Sequence, residues 1–253
     1  MRIVANNVAF DKEDIQYNFV DTEKFSRMAV QNIISSKDMT EALEKLKGTE
    51  YWQTVSHYHS KHPMDRNQGI LESMLVSYSL MKLYEDAHRN EAKMISPDSM
   101  IIKDYAGFRA DVLNIITAIR SCLRKADSSR WLPEMIPLGL FITPEKREAL
   151  GKSTTLDDIE SIISKTLYEE AFHEGLNEFK KTGKIDGFEE RLDSCLAEHT
   201  KDMAIRYPFS IAVLLGYTTL KRREVFLLRS IAKGICTNVL LDIGDFGRVS
   251  YAE

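Results

Sequence analysis

Two stretches of the chain resemble each other: MTEALEKLKGTEYWQTV (Met39–Val55) and LDDIESIISKTLYEEAF (Leu156–Phe172). Within them, Thr49 aligns with Thr166 and Tyr51 with Tyr168, both pairs 117 positions apart (166 − 49 and 168 − 51). The same unbroken offset gives three further pairs: Leu46 with Ile163, Glu72 with Glu189, and Leu75 with Leu192. These pairs could reflect either an internal repeat or a chance likeness between two amphipathic helices. Five pairings at one offset favour an internal repeat.

The repeated Thr-x-Tyr element has a physical interpretation. Gly48 is suited to end one helix in the left-handed conformation, which glycine adopts without a steric penalty. Thr49 is then expected to cap the next helix through its hydroxyl. This arrangement places the tyrosine in the first turn, where its ring packs across the junction of the two helices.

A second match follows at a slightly smaller offset. DVLNIITAIR (Asp111–Arg120) pairs with EVFLLRSIAK (Glu224–Lys233), 113 positions apart (224 − 111). Each half therefore contains a short helix, a turn with Thr-x-Tyr, an acidic and apolar helix, and a long closing helix. We expect a single all-helical protein with two internal repeats, at roughly 22–128 and 129–238.

Local signals agree with an all-α class. Thr143-Pro144 and Ser96-Pro97 each place a hydroxyl before a proline at the first helical position. Capping boxes are predicted for Asp38 with Glu41 and for Thr155 with Asp158. Apolar residues recur at helical spacing in Val112–Leu123, with Asn114, Arg120 and Ser121 off the stripe. Phe209–Lys233 is predicted to form the longest helix.

Composition excludes several classes of protein. A formal net charge of −4 gives no reason to expect a nucleic-acid partner. Apolar runs such as Met135–Ile142 are about half the roughly 18 residues that a spanning helix needs, so no membrane insertion is expected. The N-terminal residues do not form a signal-peptide pattern. The three cysteines (Cys122, Cys195 and Cys236) are interpreted as reduced thiols of a cytosolic protein.

Catalytic motifs are weak. The best metal candidate is HYHSKH, with His57, His59 and His62, but His57 and His59 point apart on a helix. No phosphate-binding glycine loop and no GxSxG motif is present. Cys195 and His199 lie four residues apart, a spacing that a half-buried helix explains as well as an activated thiolate does. We therefore predict no catalytic residues, no metal and no cofactor.

A basic cluster, Lys221-Arg222-Arg223, precedes Glu224 in the last long helix. It is a candidate for binding an acidic partner surface, because complementary charge steers and orients binding partners. The alternative is a solvated stripe with ion pairs inside the helix.

Two segments together resemble a known family. MIPLGLFITPEKREALGKSTTLDDIESIISKTLY (Met135–Tyr168) and EVFLLRSIAKG (Glu224–Gly234) are similar to the C-subunit family of V/A-type rotary ATPases, which is called the d subunit in eukaryotes. The first repeat matches more loosely, through KLKGTEY (Lys45–Tyr51) and DVLNIITAIR. The likeness extends over roughly residues 25–234.

The resemblance implies a funnel-shaped helical protein built from three related units, of which two are recognisable here. It implies a non-catalytic central-stalk role that couples the rotor-shaft subunits of the soluble sector to the membrane ring of proteolipid subunits. The implied location is cytoplasmic and peripheral on the membrane complex. Two alternatives remain: a helical metal-dependent enzyme that uses HYHSKH, and a shortened family relative that acts as an adaptor.

Overall fold

The computed structural model describes residues 32–33, 35–37, 39–52, 54–56, 68–90, 97–123 and 135–236. Its longer helices, in chain order, are α1 (Met39–Glu44), α2 (Gln68–Arg89), α3 (Asp98–Leu123), α4 (Pro144–Lys152), α5 (Leu156–Ile163), α6 (Glu169–Thr182), α7 (Asp186–Arg206) and α8 (Ile211–Cys236). The described residues contain helices and turns and no strand, so the predicted all-α class is confirmed.

The predicted helix starts are largely correct. Thr143 is the N-cap of α4, with Pro144 at the first helical position, and its hydroxyl accepts a hydrogen bond from the Lys146 amide. Thr155 and Asp158 form a reciprocal capping box on α5. α3 begins at Asp98, one residue beyond Pro97. Ser96 and Asp38 lie outside the described residues.

The helix α3 is at the centre of the structure. It packs against α2 on one side and against α4, α5, α7 and α8 on others. The largest apolar cluster joins Phe108, Val112 and Ile115 of α3 to residues of α4–α7, including Tyr168 and Phe172. A smaller cluster around Leu43, Leu46 and Val55 joins α1 to the turn that follows it and to Leu75 of α2. α3 is therefore buried along most of its length.

The predicted stripe of α3 is buried as far as Ile119, because Val112, Ile115 and Ile119 are fully inaccessible to solvent. At the end of the helix the expectation fails, because Cys122 is half-buried and Leu123 is exposed. Two residues that lie off that stripe, Asn114 and Ser121, are also buried. The reason is that α3 has neighbours on several sides, so its polar residues are also enclosed.

Local hydrogen bonds recur at the two copies of the matching stretch. The Ser36 amide donates to the Ile33 carbonyl at 3.2 Å, and the Ser153 amide donates to the Leu150 carbonyl at 3.2 Å. The Lys37 amide donates to the Glu41 carboxylate at 2.8 Å, and the Thr154 amide donates to the Asp158 carboxylate at 3.1 Å. In each pair of bonds, the donor residues are 117 positions apart and so are the acceptor residues, which is the offset found in the sequence.

The turn before each Thr-x-Tyr element also recurs. Gly48 has φ +88°, as expected for a left-handed helix end, and the equivalent residue Lys165 has φ +60°. The two copies therefore share an unusual backbone conformation at the same position of the repeat.

The prediction that the threonines cap the next helix is wrong. Thr49 and Thr166 donate their hydroxyls backward, to the carbonyls of Leu46 at 2.7 Å and Ile163 at 2.5 Å. The Thr166 hydroxyl also accepts from the Tyr168 amide at 3.3 Å, but Tyr168 is itself the N-cap of α6. Both hydroxyls thus close the preceding turn, where a local bond to the backbone competes with a capping role.

The predicted repeat boundaries near residues 22, 128, 129 and 238 lie outside the described residues, so the division at 22–128 and 129–238 stays a prediction. Within the part of the chain that the structure describes, no helix combines the length and apolar character that crossing a membrane requires.

Candidate interaction surface

A buried carboxylate joins α3 to the segment that leads into α4. One oxygen of Asp111, Oδ2, accepts hydrogen bonds from the amides of Leu140, Phe141 and Ile142 at 3.0, 2.7 and 3.2 Å. The same oxygen accepts the Tyr168 hydroxyl at 2.9 Å. Asp111 is fully buried, so these donors replace its hydration shell. We call this group of bonds the Asp111 joint.

The second oxygen of Asp111, Oδ1, has no hydrogen-bond partner. Burial raises the pKa of this carboxyl above its usual value, and the hydrogen bonds from Phe141 and Tyr168 only partly oppose that shift. Space beside Oδ1 is tight. A Cβ added to Gly139 would lie 2.6 Å from Oδ1 and 2.2 Å from the Ile142 carbonyl oxygen, so glycine is required for this close approach.

Tyr168 is the tyrosine of the second Thr-x-Tyr element. It immediately precedes α6 and is fully buried, and its ring meets Phe108 and Phe141 edge-to-face at centroid distances of 5.0 and 5.9 Å. These ring contacts are with α3 and the segment before α4, so the expected packing across the junction of α5 and α6 stays a prediction. Tyr168 lies just before the first turn of α6 rather than in it. Desolvation and the adjacent Asp111 raise the pKa of Tyr168, so the hydroxyl remains a donor.

Asn114 completes the attachment of α3 to the same segment. Its side-chain amide donates to the Ile136 carbonyl at 3.0 Å, and its side-chain oxygen accepts from the Ile136 amide at 2.8 Å. Sequence reasoning did not identify Asp111 or Asn114 as structural residues. The available signal was two short polar residues, three positions apart, inside an otherwise apolar stretch.

The residues considered for catalysis do not form a reactive centre where they are described. The Cys195 thiol donates to the Leu167 carbonyl at 3.4 Å, and burial, together with Glu198 and Glu170, raises its pKa to about 11. Its thiolate is therefore suppressed. His199 stacks on Phe108 at 4.4 Å, and burial lowers its pKa. His57, His59 and His62 lie outside the described residues, and among those described no group of three metal-binding side chains is present.

One face of α8 is accessible to solvent along much of the helix. It presents apolar side chains to solvent at helical spacing: Val213, Leu214, Tyr217, Leu220, Val225 and Leu228. Phe209, just before α8, is fully exposed. Contiguous exposed apolar surface of this kind marks an interaction site more often than a solvated face. We call these residues the α8 face.

The predicted basic cluster lies on the same helix. Lys221 and Arg222 are exposed and Arg223 is half-buried. Lys221 forms an ion pair with Glu224 at 2.7 Å, which is the in-helix pairing considered as the alternative role. Burial lowers the pKa of Arg109 on α3, and the nearby charge of Arg222 lowers it further. A binding role for Lys221, Arg222 and Arg223 stays a prediction.

Comparison with known proteins matches residues 1–240 to the family described as ATP synthase (C/AC39) subunit. The chain belongs to this family. The resemblance inferred from Met135–Tyr168 and Glu224–Gly234 is therefore confirmed. The match also includes the stretch around Tyr51, whose own resemblance to the family is looser.

Several archaeal relatives are named as the C subunit of the A-type ATP synthase. The protein of Methanocaldococcus jannaschii is 26% identical over 213 residues, which cover 83% of this chain and 51% of that protein. The protein of Pyrococcus horikoshii is 28% identical, over 81% of this chain and 53% of its own length. The protein of Halobacterium salinarum is 24% identical, over 88% of this chain and 62% of its own. The chain thus spans about half the length of the first two relatives.

Proposed function

We propose that this chain is a non-catalytic central-stalk component of a V/A-type rotary ATPase, peripheral on the cytoplasmic face of the membrane complex. In this role it couples the rotor shaft of the soluble motor to the membrane ring. The observation that carries the proposal is the family match across residues 1–240, together with relatives named as the C subunit of the A-type ATP synthase.

The geometry of the described residues is compatible with a mechanical role. A body that transmits torque must resist relative motion of its helices. The Asp111 joint supplies such resistance, because four donors converge on one carboxylate oxygen between α3, the Leu140–Ile142 segment and Tyr168. The four hydrogen bonds to Oδ2 are buried and link separate segments of the chain, so they favour one packing arrangement over alternatives. The high pKa of Cys195 also argues against nucleophilic catalysis at that residue.

The basic cluster of α8 suggests which surface meets an acidic partner. We expect Arg222→Glu combined with Arg223→Glu to weaken binding to the rotor-shaft subunits about tenfold or more, with most of the loss in the association rate at low salt. The measurement is surface plasmon resonance with purified shaft subunits over a range of ionic strength.

The matched control is Lys180→Glu combined with Lys181→Glu, which makes the same charge change at two residues in the last turn of α6. If both double variants weaken binding equally, the effect comes from net charge and the proposed role of Arg222 and Arg223 is wrong.

A second candidate is an adaptor that uses this fold outside a rotary ATPase. A stalk component would be recovered with both the shaft and the ring subunits, whereas an adaptor would be recovered with neither. Affinity purification from the native host in mild detergent separates the two.

A further inference from the structure

The helices α3 and α8 begin side by side, and each carries an arginine at the same distance from its start. The Ile211 amide at the start of α8 donates to the Asp98 carboxylate at the start of α3 at 2.9 Å, and the two helices then pack through an apolar cluster. Arg109 is eleven residues after Asp98 (109 − 98), and Arg222 is eleven residues after Ile211 (222 − 211). Burial lowers the pKa of Arg109 and the nearby charge of Arg222 lowers it further, which agrees with two arginines at one level of neighbouring helices.

Arg109 has a partner on a third helix. This residue is only 8% exposed, and its Nη1 lies 3.7 Å from Oδ1 of Asp193 on α7. A charged group so far from water is costly unless an opposite charge accompanies it. The ion pair between Arg109 and Asp193 therefore compensates the buried guanidinium and joins α3 to α7.

Arg222 is the counterpart of Arg109 in the internal repeat, 113 positions later (222 − 109). It is exposed, and within the part of the chain that the structure describes its side chain forms no ion pair. Of the two guanidinium groups, that of Arg109 has a described carboxylate partner and that of Arg222 does not. Like charges at one level repel each other, so a carboxylate that approaches Arg222 is attracted by both groups.

The first half of the chain does not repeat the acid that pairs with Arg109. At the offset of 117, the counterpart of Asp193 on α2 is Val76 (193 − 76). A second copy of this chain therefore presents an apolar side chain where Arg222 needs a carboxylate. The partner that fits Arg222 is a different protein, with an acidic side chain on a helix as Asp193 is on α7.

We propose that Arg222 binds an Asp or Glu carboxylate on a helix of the rotor-shaft subunits, in the way that Arg109 binds Asp193. This assignment rests on the proposed stalk role, which makes the shaft a partner of this chain. It assigns the main contact of the basic cluster to one residue, since Lys221 already pairs with Glu224 inside α8. Arginine suits the task, because its planar guanidinium donates two parallel hydrogen bonds to a carboxylate.

The first test is the binding of purified rotor-shaft subunits to the full chain, measured by surface plasmon resonance at low salt. Arg222→Gln removes the charge and keeps a polar side chain, and we expect it to raise the dissociation constant at least about tenfold. The matched control is Arg206→Gln, which removes the same charge at an exposed residue of α7, thirteen positions along the helix from Asp193 (206 − 193). It should change the dissociation constant less than about twofold. Circular dichroism checks that each variant folds.

The second test is a charge reversal that identifies the acid. Arg222→Glu should weaken binding more than Arg222→Gln does, because it puts two carboxylates in contact. Each Asp and Glu of the shaft is then changed to Arg in turn. One of these shaft variants should restore the binding of Arg222→Glu and should bind the wild type weakly.

Two results would overturn the assignment and leave the stalk role standing. The first is shaft binding that Arg222→Gln leaves unchanged, or that Arg206→Gln weakens equally. The second is an Arg222→Glu variant that no reversed shaft variant restores, which is expected if Arg222 meets the membrane ring or an acid elsewhere in this chain. A wild type that does not bind the shaft would overturn the assignment and the proposed role together.

Discussion

At the scale of single residues, the structure depends on polar side chains that an apolar pattern does not reveal. Asp111 is the clearest case. It lies within the apolar stripe of α3, yet its Oδ2 accepts three backbone amides and the Tyr168 hydroxyl. A buried carboxylate is tolerated only where such donors replace water. Asp111 and Tyr168 are therefore expected to be sensitive to small chemical changes.

Tyr168→Phe tests the hydrogen bond directly. The substitution keeps the buried ring and removes one donor from a buried carboxylate, so we expect it to lower the free energy of unfolding by about 1–3 kcal/mol. Chemical denaturation measures this change. Tyr84→Phe, at an exposed tyrosine of α2, is the control and should cost less than about 0.5 kcal/mol. Equal costs for the two variants would show that the hydrogen bond from the Tyr168 hydroxyl to Asp111 contributes nothing to stability.

The raised pKa of Asp111 predicts a pH dependence with a definite sign. Burial favours the protonated form in the folded state, so the folded chain binds more protons than the unfolded chain between their two pKa values. Stability from this group is therefore fully present below the unfolded pKa of about 3.9 and is lost as pH rises through the folded pKa.

We expect the stability of the wild type relative to Asp111→Asn to decrease as pH rises across that window. Denaturation of both proteins at a series of pH values measures the difference, in which the contributions of other carboxyl groups cancel. A difference that is flat, or that grows with pH, would contradict the assigned pKa direction.

At the scale of helices and turns, much could be predicted from the sequence. The start of α4 at Pro144, the capping box of α5 and the buried side of α3 follow from short-range rules about caps and periodicity. The roles of Thr49 and Thr166 could not be predicted. A threonine hydroxyl can accept from the next turn or donate to the previous one, and the choice depends on where the chain goes after Gly48 and Lys165.

The candidate site was less predictable than the fold. Exposure of the α8 face depends on which helices lie over α8, and periodicity within one helix carries no information about its neighbours. The bonds of Asp111 connect residues far apart in the chain, so they follow from tertiary packing and not from local pattern. The Lys221-Arg222-Arg223 cluster was visible in the sequence, whereas the apolar surface beside it was not recognised as exposed.

The repeated left-handed turn gives a prediction at this scale. Gly48 and Lys165 occupy equivalent turns with φ of +88° and +60°, and a side chain in this conformation costs about 1 kcal/mol relative to glycine. Gly48→Ala should therefore destabilise the protein by about 1 kcal/mol, although no atom lies within 4 Å of the added Cβ. Lys165→Gly should be neutral, or should stabilise by up to about 1 kcal/mol.

Thermal denaturation of the two variants checks this prediction, and each protein serves as the control for the other. If the two variants shifted the melting temperature in the same direction and by the same amount, the two turns would not be conformationally equivalent. That result would count against an internal repeat.

At the scale of the whole molecule, the family of the chain is known and its role in a rotary ATPase is proposed. The chain belongs to the ATP synthase (C/AC39) subunit family, and the Asp111 joint ties α3 to the segment before α4 and to Tyr168. The α8 face carries exposed apolar side chains, so the described part of the molecule has a surface suited to association. The coupling role is a proposal that these features support and that the test below addresses.

The most direct test of the central claim is quantitative co-purification from the native host. The full chain, tagged and expressed at its natural level, is recovered in mild detergent and the bound proteins are measured by mass spectrometry. A stalk role predicts that rotor-shaft and membrane-ring subunits are recovered in fixed proportion to the tagged chain. It would be contradicted if the rotary ATPase assembled fully while the tagged chain was recovered without shaft or ring subunits.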